Sequence, residues 1–187
     1  MSEKILNGKK IAIIIAFRDF RDVEYFIPRE VFRLAQARVS TVSSQKGIAI
    51  GVDGGEAEIN LTASELNVGD FDAIVFIGGP GMGKKLDDES FQKIAREAVS
   101  AGKVLGAICV APALLAKAGL LSGKKATVWS SVMDKSAVKI LKEGGAIYKE
   151  EQVVVEGNIV TANGPGSSRK FAQTLLGLLT GKPRDDK

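Results

Sequence analysis

Histidine is absent from this 187-residue chain, and cysteine occurs once, at Cys109. Without histidine, neither a Ser-His-Asp triad nor a Cys-His dyad can form within the chain. Zinc sites built on Cys and His are excluded for the same reason. Carboxylate sites for Mg²⁺ find no motif to support them, so the reading carries no metal and no cofactor. One cysteine rules out an internal disulfide, and nothing points to an oxidising compartment. Long apolar runs are missing too. The strongest near the N-terminus, Ile11 to Phe17, is too short to span a bilayer, and Met1 to Lys10 lacks a signal-peptide layout. These absences describe a soluble, cytoplasmic protein with no membrane partner.

Charge of one sign is not concentrated anywhere either. The formal net charge is +4, and the basic pairs Lys9-Lys10, Lys84-Lys85 and Lys124-Lys125 are scattered. Acidic residues lie among the others, as in Lys142-Glu143 and Lys149-Glu150-Glu151. A nucleic-acid binder clusters its charge along one stripe with aromatics interleaved. The lysines read as solvated surface, and no nucleic-acid partner is expected.

What is present is an alternation of buried strands and helices. Lys10–Phe17, Phe71–Ile77 and Val104–Cys109 are apolar runs of the kind buried on both faces of a parallel sheet. Helices are predicted over Val23–Ala37, Asp87–Ala101, Ala113–Leu121, Met133–Glu143 and Ser167–Leu179. Val39–Ser43 and Ala126–Ser130 add strands, Gly47–Leu61 a hairpin-like excursion, and Glu156-Gly157-Asn158 a hairpin turn. No repeat or interdomain linker interrupts the pattern. The expectation is an α/β fold: one domain over 1–187, a doubly wound sandwich around a mostly parallel sheet, with 1–8 and 182–187 as flexible ends. Ligands of such sheets bind at the carboxyl ends of the strands, where Phe17–Glu24, Gly78–Gly81 and Cys109 fall.

Cys109 ends an apolar run and is followed at once by Val110-Ala111-Pro112 and a helical pattern. That is strand, sharp turn, helix, the layout of a nucleophile elbow. The helix dipole there favours a thiolate. A small buried hydrophobe is the competing reading, since free cysteine is among the most buried residue types. Glu24 heads the helical stripe Glu24, Ile27, Val31, Leu34, Ala35. Facing a cleft, its carboxyl would have a raised pKa and serve as acid or base; facing solvent, it is an early-helix acid favoured by the dipole. Gly78-Gly79-Pro80-Gly81 follows a strand end, where glycine lets amides approach a substrate and form part of an oxyanion hole. It matches neither a phosphate loop nor GxGxxG.

Four segments in order resemble the ThiJ/PfpI superfamily, close to its DJ-one branch, over nearly the whole chain. Asp22-Val23-Glu24 with Ile27-Pro28 is similar to the family's acidic loop, and Phe76-Ile77-Gly78-Gly79 to its strand-end double glycine. Ala107-Ile108-Cys109-Val110-Ala111-Pro112 is similar to its elbow, and Asn163-Gly164-Pro165-Gly166-Ser167-Ser168 to its last turn. The resemblance implies a flavodoxin-like, class I amidotransferase-like sandwich and a homodimer. It implies a Cys109 nucleophile hydrogen-bonded to Glu24, an oxyanion hole from the Gly79 and Val110 amides, and strained angles at the elbow. Gly78 and Trp129 would line the pocket. This chain departs from the family where PfpI-type proteases follow the nucleophile with histidine: it has Val110. Where the DJ-one branch carries a nearby histidine it has Trp129, which walls the pocket or packs in the core. Peptidase and amidotransferase chemistry therefore lose their base.

Two functions compete for the same site. In the first, Cys109 adds as a thiolate to a small reactive carbonyl such as methylglyoxal, or acts on a glycated substrate. Glu24 then moves the proton and hydrolysis yields a hydroxy acid, as in a glyoxalase or deglycase. In the second, Cys109 oxidises to a sulfinate in a redox-sensing stress protein or chaperone. Hydrolysis of an ester or amide ranks behind both.

Overall fold

The computed structural model describes residues 6–181. Along the chain the elements are β1 (Lys10–Ile14), β2 (Arg18–Phe20), α1 (Asp22–Leu34), β3 (Arg38–Ser43), β4 (Gly47–Gly51), β5 (Glu56–Ile59), β6 (Leu61–Thr62), β7 (Ala73–Phe76) and α2 (Pro80–Gly83). They continue with α3 (Glu89–Ser100), β8 (Val104–Ile108), α4 (Ala111–Lys117), β9 (Lys125–Ala126), α5 (Ser136–Glu143), β10 (Ile147–Tyr148), β11 (Val153–Glu156), β12 (Ile159–Ala162) and α6 (Ser168–Thr180).

The apolar runs become the middle of a seven-stranded sheet in the order β11-β12-β8-β7-β1-β3-β6. Every neighbour pair in it is parallel except β11 with β12. These strands are buried on both faces because successive side chains feed two cores. Ile14, Ile74, Phe76 and Leu105 point to one, packed by Phe91 and Ile94 of α3, Leu114 of α4 and Leu141 of α5. Ile11, Ile13, Val75 and Ile108 point to the other, packed by Tyr25 and Phe32 of α1 and Phe171 and Leu175 of α6. The expected excursion is the antiparallel pair β4–β5, which joins β2 in a separate three-stranded sheet.

Of the ends expected to be flexible, 1–5 and 182–187 lie outside the described residues. Within the described part of the first end, the Leu6 side chain is buried, and its amide donates to Ala35 O at 2.8 Å. The strand expected over Ala126–Ser130 is confined to Lys125–Ala126. The helix expected from Met133 starts at Ser136, whose amide donates to Asp134 Oδ1 at 2.9 Å. Among the described residues no helix is long and apolar enough to cross a membrane.

After β1 the chain moves outward to β3 and β6, then crosses back to β7 and proceeds to β8. The winding therefore reverses between β1 and β7. That reversal opens a crevice beyond their carboxyl ends, bounded by the segment leading into α1, by Gly78-Gly79 and by Cys109.

Candidate active site

Cys109 stands one residue past β8 with φ 64°, a left-handed conformation that costs a non-glycine residue roughly 1–2 kcal/mol. Its backbone is held on both sides. The Cys109 amide donates to Ala162 O at 2.9 Å, and the Trp129 amide donates to Cys109 O at 2.8 Å. Surroundings that over-determine a strained residue are what let it persist. Val110 caps α4, and Pro112 sits in its first turn, where a missing N–H costs nothing. Strand, strained turn and helix thus follow one another at Cys109, which retains only 8% of its surface.

Glu24 lies in the first turn of α1 and is fully buried, so of the two readings open in the sequence the solvent-facing one is excluded. Its Oε2 accepts the Gly78 amide at 3.1 Å. Oε1 finds no partner of good geometry, and the Cys109 thiol is the side-chain donor that bears on the carboxyl. Burial pushes the Glu24 pKa from 4.5 up to about 7, against the downward pull of the Cys109 thiol, the Gly78 amide and the Arg21 charge. A buried carboxyl keeps its proton because the anion loses hydration.

Gly78 joins the two groups. A Cβ there would overlap the Cys109 side chain and come within 2.8 Å of Glu24 Oε2 and 2.9 Å of Ile108 O. Glycine is thus what allows Glu24 and Cys109 to share one space. Gly79 has φ 108°, and a Cβ on it would meet Asp19 O at 2.6 Å. Its amide and that of Val110 pull the thiol pKa down.

That pull does not win. Burial, followed by the Glu24 charge, raises Cys109 from 9.0 to about 12. The expectation of a dipole-stabilised thiolate is therefore corrected: burial and the Glu24 charge outweigh the two amides that favour the anion. At neutral pH the sulfur carries its proton and Glu24 is the group near its titration point.

The structure brings together Cys109, Glu24, Gly78, Gly79 and Val110. Trp129 joins them through its backbone bond to Cys109 O; its ring packs against the core and lies beside Gly164. Sequence reasoning missed Arg21, which precedes α1 and whose amide donates to Gly78 O at 3.1 Å. The buried Asp22 carboxylate accepts the amides of Asp53 at 2.9 Å and Gly55 at 2.7 Å, pinning the β4–β5 turn to the start of α1. Two surface cavities of about 290 and 410 Å³ open at the other end of the strands, beside Lys10 and Arg38 and beside Lys103 and Asn158. Neither contains a residue of this constellation.

Residues 9–178 match the model of the DJ-1/PfpI family. An uncharacterized protein of Methanocaldococcus jannaschii is 38% identical over 172 residues, covering 91% of this chain and 82% of that protein. Protein/nucleic acid deglycase 2 of Escherichia coli is 31% identical over 174 residues, covering 92% of this chain and 98% of the relative. The crystal structure of a ThiJ/PfpI domain protein from Brachyspira murdochii superimposes with a TM-score of 0.88 at 34% identity, over 94% of this chain and all of that one.

Proposed function

The chain belongs to the DJ-1/PfpI family, and from that premise we propose that it is a cysteine-dependent enzyme of small reactive carbonyls, of glyoxalase or deglycase type. The observation that carries this reading is the meeting of Glu24 and Cys109 across Gly78, with the Gly79 and Val110 amides on the sulfur. Deglycase is also the name of the Escherichia coli relative. The set supplies a nucleophile, an acid–base group and an oxyanion hole without histidine.

The sequence of events follows from which group holds the proton. Ionised Glu24 takes the thiol proton as Cys109 Sγ attacks the aldehyde carbon of methylglyoxal. The C=O π bond opens to an alkoxide, met by the Gly79 and Val110 amides, and protonation gives a hemithioacetal. Glu24 then removes the proton from the former aldehyde carbon and returns one to the neighbouring carbon, turning the hemithioacetal into a thioester. Water cleaves the thioester and releases lactate and the free thiol. Methylglyoxal plus water has become lactate with no external oxidant or reductant. Trp129 would wall the pocket. The Cys109 side chain's slight exposure suits a small substrate. A soluble, cytoplasmic homodimer completes the proposal, its oligomeric state to be read by light scattering.

The test is lactate release from methylglyoxal, with Cys109→Ser as the blank and Glu24→Gln as the base-deficient variant. Release that depends on both residues supports the reading; none from the intact protein sinks it. A second reading rests on the same raised Glu24 carboxyl, which when protonated would donate to a Cys109 sulfinate in a redox sensor. A mass gain of two oxygens after mild peroxide, with no carbonyl turnover, would favour it. Peptide hydrolysis ranks last, for want of an acid to protonate the leaving amine.

A further inference from the structure

The helix that carries Glu24 is held at its start from outside. Arg21, the N-cap of α1, makes no side-chain cap, so no capping side chain closes the amides of the first turn. Two residues of α1 instead grip the tip of the β4–β5 hairpin. Asp22 is buried, and its carboxylate accepts the Asp53 amide at 2.9 Å and the Gly55 amide at 2.7 Å. Phe26 packs on the same tip, since a Cβ at Gly55 would come within 2.6 Å of its ring. Residues four apart share one face of a helix, so Asp22 and Phe26 form a single contact surface.

The tip is shaped to receive the carboxylate. A Cβ on either Gly51 or Gly55 would overlap it, so only glycine leaves the space. The tip is also fixed in place. The Gly51 amide donates to Gly55 O at 2.8 Å, the Gly54 amide to Gly51 O at 3.1 Å, and the Val52 amide to Phe20 O of β2 at 2.9 Å.

Glu24 stands two positions from Asp22 and two from Phe26. Two residues turn an α-helix by roughly 200°, so Glu24 leaves α1 on the side opposite the hairpin. There the Gly78 amide donates to its Oε2 at 3.1 Å, and the Gly78 carbonyl accepts the Arg21 amide at 3.1 Å. The first turn of α1 is thus clamped between the hairpin tip and Gly78, the residue across which Glu24 and Cys109 meet.

Resting on the functional reading above, we infer that Asp22 is a positioning residue of the reaction: seated in the β4–β5 tip, it fixes the rotation of the first turn of α1 and so holds the Glu24 carboxyl against Cys109. It acts only through Glu24. With its carboxylate removed, two hairpin amides lose their acceptor and the uncapped helix start is free to roll and fray. Glu24 then gains water and loses its fixed approach to the thiol.

A double-mutant cycle read on Cys109 tests this without turnover. Iodoacetamide alkylation is measured at pH 8.5 with Glu or Gln at position 24. In the wild-type background Glu24→Gln should speed alkylation roughly tenfold, as expected when a close like charge is removed from a thiolate. In the Asp22→Ala background the same change should alter the rate by less than about threefold, because the charge is no longer held at the sulfur. Asp22→Asn, which keeps one acceptor oxygen, should give an intermediate ratio, and it decides the question should Asp22→Ala not fold. Urea unfolding establishes that each variant is folded in the assay, and rates unchanged by a little added urea come from the folded state. A ratio as large in the Asp22 variants as in the wild type overturns the inference. So does a wild-type ratio of one, since there is then no coupling to position. A ratio that collapses in Asp22→Ala, in a protein that releases no lactate from methylglyoxal, upholds the positioning and overturns the enzymatic reading.

Discussion

Replacing Glu24 by Gln should make the protein more stable in mild alkali while removing its chemistry. The carboxyl is fully buried, and its pKa stands at about 7 instead of 4.5. Between those values the folded state holds a proton that the unfolded state has released, so stability falls as pH rises through the interval. The full loss, complete once the folded carboxyl ionises, is about 3 kcal/mol. Glutamine keeps the shape and an oxygen for the Gly78 amide but never ionises. Urea unfolding of both proteins, at one fixed protein concentration from pH 5 to pH 8.5, measures the difference. The curves should lie close together at pH 5. At pH 8.5 Glu24→Gln should be the more stable by about 3 kcal/mol, or roughly 6–12 °C in Tm for a chain of this size. A difference that does not vary with pH would refute the raised carboxyl. A wild type that gains on the variant with rising pH would mean that the anion is the favoured form.

Three further outcomes follow from the same geometry. Turnover, measured as kcat/KM for methylglyoxal against pH, should rise with a midpoint near pH 7 as Glu24 becomes the base, and Arg21→Gln should move that midpoint upward because the Arg21 charge lowers the carboxyl pKa. Alkylation of Cys109 by iodoacetamide should be slow at neutral pH, and Glu24→Gln should lower its pH midpoint by removing a charge that raises the thiol; an upward shift would contradict the coupling. Gly78→Ala should cost about 1–3 kcal/mol in thermal unfolding and abolish activity, since the new methyl group has no room between Cys109, Glu24 Oε2 and Ile108 O.

The sequence made the fold legible because buried parallel strands leave an unambiguous trace. Ile11–Phe17, Phe71–Ile77 and Val104–Cys109 have no polar face, and only a sheet covered on both sides accommodates three such runs. Weak local patterns fared less well. Ala126–Ser130 looks like a strand in composition, but only its first residue pairs, because Trp129 turns its amide to Cys109 O instead of to a ladder. Met133 is not helical, because Asp134 receives the Ser136 amide and starts the helix later. The constellation itself was readable as residue types at strand ends. Arg21 was not, since an arginine before a helix is ordinary until its neighbours across the sheet are known.

The direction of the thiol pKa is where sequence reasoning failed, and the reason is instructive. A turn at a helix N-terminus promises a thiolate, but that promise assumes water on the other side of the sulfur. Here Cys109 faces a carboxyl that cannot leave, and both are desolvated together. Two neighbouring acids in such a space do not both ionise at neutral pH, so one proton stays on the pair and lowering either pKa raises the other. In the proposed reaction histidine is not needed to accept the thiol proton, because a carboxyl lifted to about 7 titrates where imidazole does. On that proposal, burial of Glu24 supplies the basicity that the composition appeared to exclude, at a cost in stability that the pH dependence of Glu24→Gln measures directly.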